Sequence, residues 1–198
     1  QPVPHVKLTE NLRQAEAPGL ALFSASFRAV LQGGEPPPPA LADKAKQQGA
    51  TLIRPRIQVC ETDELMDALI LEALVSAKRH QTVAVLFPDS VTAVKVYKRL
   101  EVELRERMVE AELSEKVNLA RRHVRHFADV ANSKGLEFDV VLLAGVDQYD
   151  LSNASHINRL YVGITRARQN LVLLSGTKTW APQLAEVRAV YQDLAGRP

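Results

Sequence analysis

Three short runs in the chain are apolar almost without interruption: Thr82 to Phe87 (TVAVLF), Asp139 to Val146 (DVVLLAGV) and Leu171 to Gly176 (LVLLSG). A strand with water on one side alternates polar and apolar residues, whereas a strand covered on both faces reads as a continuous run of β-branched residues and leucine. Covering both faces takes helices, and parallel strands joined by right-handed helical crossovers place them there. The stretches in between have a helical period. Val94, Tyr97, Leu100 and Leu104 recur every three or four residues, with Lys98, Arg99, Glu101, Arg105 and Glu106 on the wet side. The pattern predicts an α/β fold: a parallel sheet flanked by helices.

The remaining elements follow from local signals. A short strand is expected at Val6 to Leu8. A helix starts at Pro18, carries Leu20, Phe23, Phe27, Val30 and Leu31, and stops at Gly33-Gly34. Proline suits a first helical position because an amide there has no partner anyway. Glu35 with Pro36 to Pro39 is short of amide donors, so residues 33–40 read as an extended loop. Thr51 to Val59 reads as a strand, and Thr62 caps a helix bearing Leu65, Leu69 and Leu74. The last third runs strand (Val124 to Val130), turn, strand (DVVLLAGV), helix (Ile157 to Arg168), strand (LVLLSG) and a helix from Trp180. The segment from Phe87 to Val130 leaves little room for a large helical insertion, which predicts a compact arrangement.

Composition narrows the function classes. With 198 residues, 46% hydrophobic and 24% charged, the chain is globular, and a net charge of +2 leaves any nucleic-acid footprint to local patches. Cys60 is the only cysteine and no His/Cys cluster has metal-ligand spacing, which points to a reducing cytoplasm and away from zinc. No apolar run approaches the roughly 20 residues that span a bilayer, so no membrane association is expected. The start at Gln1, without Met, reads as that of a piece of a longer protein. No G-x-x-x-x-G-K-[ST] phosphate cradle occurs, and the Gly176 to Thr179 run reads as a turn.

Within the expected helix, Arg159, Gly163 and Arg166 are spaced i, i+4, i+7 and share a stripe opposite Ile157, Leu160, Tyr161 and Ile164. Two guanidinium forks flanking a position without a side chain form a notch for a phosphate; a solvated arginine face fits the same spacing. Ser133 to Phe138 (SKGLEF) combines Lys134, Gly135 and Glu137, the groups that hold a phosphate and a ribose hydroxyl, although a plain turn uses similar residues. Lys116, Arg121, Arg122, His123, Arg125 and His126 have no acidic residue between them. Such a run either follows a phosphate backbone or is a solvated charged face.

Taken together, SKGLEFDVVLLAGV followed by NRLYVGITRARQNLVLL resembles motifs V and VI of the UvrD/Rep-type superfamily 1 helicases. Their order, their separation by one strand and loop, and the strand after the arginine helix all match. KLTENLRQ resembles motif IV, which places motif IV near residues 8–14, motif V over 129–140 and motif VI over 158–168. The resemblance implies that residues 1–198 form the second RecA-like domain of such a helicase, a P-loop NTPase-type fold without its own P-loop. It implies ATP and Mg²⁺ held mainly by an N-terminal RecA-like domain of the same protein, with Arg166 and Arg13 as catalytic arginines reaching the γ-phosphate in trans. Lys134, Gly135, Glu137, Arg159 and Gly163 are the implied nucleotide contacts. Single-stranded DNA is the implied partner, touched through Arg121, Arg122, Arg125, Asn132 and Ser133. The chain departs from the family at Leu12, usually an aromatic, and at Asp129 and Ala131, usually Thr and His. Alone it is expected to turn over no ATP and to bind single-stranded DNA weakly. The alternative is a RecA-like module that docks a protein or nucleic acid without turnover.

Overall fold

Among the described residues, the burial that the apolar runs demand is met by a six-stranded sheet with helices on both sides. The computed structural model describes residues 14, 17–47, 56–114, 119–176 and 181–196. In chain order the elements are α1 (Pro18–Leu31), α2 (Pro39–Gln47), β1 (Arg56–Val59), α3 (Asp63–Ser76), β2 (Val83–Phe87), α4 (Ser90–Glu106), β3 (Ala111–Leu113), β4 (Arg125–Asp129), β5 (Phe138–Ala144), α5 (Ala154–Ile164), β6 (Ala167–Ser175) and α6 (Pro182–Ala195). The strands lie in the order β1-β6-β5-β2-β4-β3, and every pairing is parallel. The expected α/β class is borne out.

Alternate residues of β2, β4, β5 and β6 feed two separate cores. Ala84, Leu86, Val141, Leu143, Leu171 and Leu173 pack with Phe23, Phe27, Leu160, Ile164 and Tyr191 under α1, α5 and α6. Val83, Val85, Phe87, Leu142, Val172 and Leu174 pack with Ile70, Leu74, Val96 and Leu100 under α3 and α4. Because β2 and β5 are buried at every residue, neither shows a polar alternation. The helix starts follow their caps: the Leu65 amide donates to Thr62 Oγ1 at 3.2 Å, and the Thr92 amide to Asp89 Oδ1 at 2.8 Å.

Several boundaries differ from the sequence expectation, each for a local reason. The proline loop ends at Pro38, because Pro39 is the first residue of α2 and its fixed φ suits that position. Three-residue β3 carries no apolar pattern and exists through its pairing with β4. On α4 the buried stripe is Ala93, Val96, Leu100 and Leu104, with Tyr97 at its margin. The helix expected to reach Arg168 stops at Ile164, and β6 begins at Ala167, where it pairs with Phe138. Between Phe87 and Val130 the described residues hold α4, β3 and β4 and no separate helical subdomain. No described helix is long and apolar enough to cross a membrane. The strand expected at Val6 to Leu8, the first half of the one expected from Thr51, and Trp180 lie outside the described residues.

Candidate functional site

Helix α5 runs from the loops after β5 back across the sheet, with Gly163 of its last turn over Leu143 and Val130, so the Thr165–Arg166 link that follows it lies at the N-terminal edge, where the Phe138 amide meets Arg166 O. Arg166 sits in the short link between α5 and β6 and is only 4% exposed. Its Nε donates to Val162 O at 3.0 Å, Nη1 to Leu136 O at 3.0 Å and Nη2 to Thr165 Oγ1 at 3.4 Å. The Phe138 amide donates back to Arg166 O at 2.9 Å. The arginine and the turn before β5 are therefore stitched together by main chain and side chain alike. Glu137 lies inside that stitch, half-buried between Leu136 and Phe138. Lys134 is exposed, and Gly135 adopts φ +83° with open space where a Cβ would stand. Only glycine takes that backbone conformation without strain.

One further residue joins this edge, and residue type alone had not marked it. Gln14, the last residue of the LTENLRQ segment, is fully buried, and its amide nitrogen donates to Ala167 O at 3.0 Å and Ile164 O at 3.4 Å. Its sequence signal was its place directly after Arg13. Arg13 and Leu12 themselves lie outside the described residues. Beside this cluster, Asp139 Oδ2 accepts from the Thr82 amide at 2.9 Å and the Thr82 hydroxyl at 3.0 Å, which locks the starts of β2 and β5 together.

The structure does not bring Arg159, Gly163 and Arg166 onto one stripe. Arg166 is past the helix end. Gly163 faces the sheet with Leu160 and Ile164, and a Cβ there would stand 2.8 Å from Leu143 Cδ1 and 3.3 Å from Val130 Cγ2. That glycine permits close helix–sheet approach and forms no phosphate notch. Arg159 is exposed and leans toward the start of α5, as helical side chains do, so that Nη1 reaches Pro88 O at 3.3 Å. Pro88 follows the last residue of β2, so the two arginines serve opposite edges of the sheet, which the five residues of β2 set about 16 Å apart at ~3.3 Å each. Arg168 is not helical; it is exposed on β6.

The expected DNA contacts are also redistributed. No acid interrupts the basic run in sequence, yet pairing of β3 with β4 sets Glu110 and Glu112 against it. Arg121 pairs with Glu110 and, at 2.8 Å, with Glu112; His123 Nε2 lies 3.1 Å from Glu110. Arg125 is 4% exposed and donates to Gln81 O at 3.0 Å and Ala77 O at 2.9 Å, so it fastens the α3–β2 loop instead of facing solvent. His126 is buried beside Ser114 Oγ, 3.0 Å from Nδ1, and burial pushes its pKa down. Ser133 is buried with its hydroxyl on Val130 O at 2.7 Å. Asn132 is exposed, with its backbone and side-chain amides both on Asp129, at 2.8 and 3.0 Å. Arg122 is exposed.

Lys134 is an exposed cation beside Gly135 and Glu137 a half-buried carboxylate, a pair whose chemistry fits a phosphate and a ribose hydroxyl, whereas the Arg166 guanidinium is 4% exposed with Nε, Nη1 and Nη2 on protein acceptors. Among the described residues no group of three or more His, Cys, Asp or Glu is placed to hold a metal ion. Residues 126–174 match the model of the UvrD-like helicase C-terminal domain. The matched stretch runs from β4 to β6 and contains the whole Leu136–Arg166 stitch, in agreement with the resemblance drawn from motifs V and VI. Among solved structures, the crystal structure of the C-terminal domain of a possible DNA helicase from Lactobacillus plantarum is similar to this chain with a TM-score of 0.61 at 19% identity, covering 85% of this chain and 92% of that one. At that identity the likeness is one of fold. No curated protein sequence matches the chain.

Proposed function

We propose that this chain is the arginine-supplying half of a UvrD-like DNA motor. ATP and Mg²⁺ are held mainly by a separate N-terminal RecA-like domain, and this chain closes on the γ-phosphate with Arg166, joined by Arg13. Glu137 and Lys134 contact ribose and phosphate from the turn before β5. The supporting observation is the bonding of Arg166 to the Leu136–Phe138 turn within the stretch that matches the helicase family. When bound, ATP supplies the phosphoryl group whose leaving charge must be stabilised. The protein's share is electrostatic: a fork fixed by main-chain carbonyls has little reorganisation left to do when charge grows opposite it. Domain closure and reopening then move the single strand.

The test is steady-state ATPase kinetics of the protein that carries this chain together with its ATP-holding domain, at saturating single-stranded DNA. Arg166→Ala is expected to lower kcat by roughly 10³-fold or more, with far less change in KM. Arg166→Lys should stay impaired because lysine keeps the charge but loses the fork. A kcat near wild type for Arg166→Ala would move the assignment to the second reading, a module that docks a partner without turnover. The placement of Asp129, an acid where the family usually has Thr, favours that second reading.

A further inference from the structure

We infer that Gln14 is a positioning residue for Arg166, an inference that rests on the catalytic reading proposed above. Helix α5 ends without a left-handed glycine: Thr165 closes it at φ −77° and ψ −1°, and the chain passes directly through Arg166 into β6. The last carbonyls of a helix have no intrahelical amide to accept from, so they need donors from elsewhere. Gln14 supplies one from a distant segment. Its single amide nitrogen reaches Ile164 O at 3.4 Å and Ala167 O at 3.0 Å, the carbonyls that bracket the Thr165–Arg166 dipeptide.

The orientation of that amide is itself fixed. Ser24 Oγ, on α1, donates to Gln14 Oε1 at 2.8 Å, which leaves the nitrogen side facing the α5–β6 link. Gln14 is fully buried, so the amide has no water to turn toward. At neutral pH, where a glutamate of the same length is an acceptor only, glutamine offers a neutral donor and acceptor on one planar group. Because Arg166 Nε is held by Val162 O and Nη1 by Leu136 O, its aim depends on where the 162–167 main chain lies. A displacement of about 1 Å at such a site costs on the order of 10²-fold in rate. The same bonds tie the position of α1 to that of Arg166.

The experiment compares Gln14→Met, Gln14→Glu and Ser24→Ala in the protein that carries this chain with its ATP-holding domain, and records ¹⁵N spectra of the chain. Gln14→Met keeps the shape without the donor; kcat is expected to fall roughly 10²-fold with KM for ATP changing less than about two-fold. The Arg166 Nε–H resonance should lose its protection from solvent exchange. Gln14→Glu sets a carboxylate against two carbonyls, so its rate relative to wild type should rise as the pH falls and the neutral acid becomes a donor. Gln14→Met has no such profile. Wild-type kcat and wild-type Arg166 protection in Gln14→Met would overturn this inference while leaving the catalytic reading intact. A wild-type kcat in Arg166→Ala would overturn both. Should Gln14→Met lose its cooperative thermal transition, Ser24→Ala carries the test: it keeps the amide but frees it to turn. A several-fold loss of kcat is then expected, and no loss overturns the inference.

Discussion

At the N-terminal edge of the sheet, segments far apart in sequence are tied into one unit: Gln14 to the α5–β6 link, Arg166 to Leu136, Arg125 to the carbonyls of Ala77 and Gln81. At the C-terminal edge the loops mostly satisfy themselves. Asp89 takes the Thr92 amide, Asp129 that of Asn132, Asp150 that of Ser152 and Asn153 that of Ser155, all within two or three residues. Among the described residues, side-chain ties that cross between loops there include Arg159 donating to Pro88 O and Asp147 accepting from the Gly176 amide, beside the main-chain bonds from Val130 to Phe87 and from Cys60 to Ser175. Self-contained turns tolerate substitution one at a time, whereas a knot of long-range bonds moves as a whole. Open α/β sheets usually bind ligands beyond the carboxyl ends of their strands. Here the arginine matched to the helicase motif lies at the other edge, buried against Val162 O and Leu136 O, and the proposed role has another domain bring the nucleotide to it there.

The sharpest way to break this contrast is to remove the arginine at each edge. Beside the loss of roughly 10³-fold expected for Arg166→Ala, Arg159→Ala should leave kcat for ATP within about three-fold of wild type, since an exposed side chain on a backbone carbonyl does no work at the other edge. Equal losses in the two variants would erase the distinction.

A smaller effect separates knot from surface. Arg125→Met should cost about 3 kcal/mol in urea unfolding, because it strips the donor from two inward carbonyls. Affinity for single-stranded DNA should not change. Weakened DNA binding at unchanged stability would return Arg125 to the phosphate-contact role expected from its sequence neighbours.

Midway between the edges, Gly163→Ala should lower stability by about 2 kcal/mol, the usual range for overpacking. Adding Leu143→Val should return part of it, because the obstructing atom is a Leu143 methyl. A neutral or stabilising Gly163→Ala would show that the α5–sheet contact is looser than its geometry.

The smallest effect is a pH dependence. His126 is buried among Ser114, Glu112, Arg121, Arg125 and the Phe138 ring, and burial lowers its pKa below the usual 6.5. The unfolded chain therefore takes up the proton first as the pH falls. Stability that depends on neutral His126 is complete above about pH 6.5 and is lost progressively below it, toward the folded pKa. Thermal melts from pH 8 to 5 should show a decline that His126→Gln flattens; identical slopes would remove His126 as its source.

Much of the scaffold was legible because its signals are local. Continuous apolar runs marked β2 and β5, Thr62 and Pro18 marked helix starts, and the KGLEFD and TRA segments with their spacing marked the stretch that matches the helicase family. The candidate site was legible as residue identities and much less as arrangement. Helical periodicity carried on through Thr165 to Arg168 on paper, yet pairing of Ala167 with Phe138 ends α5 earlier and turns Arg166 inward. Residue type alone did not mark Gln14, since a buried glutamine has no pattern of its own.

What the sequence determined by itself, then, is whatever a chain decides within about a dozen residues: which runs are covered on both faces, where helices are capped, and which short motifs join strand to turn. The i,i+4 pairs Glu101–Arg105 and Glu103–Arg107 need only the helix, but tertiary structure decided which charges meet across elements. Glu110 and Glu112 reach Arg121 and His126 only because β3 pairs with β4, and Arg125 turns inward only because the α3–β2 loop offers it carbonyls. Coulomb and hydrogen-bond energies depend on distance in space, and that distance is set by the packing of elements far apart in the chain.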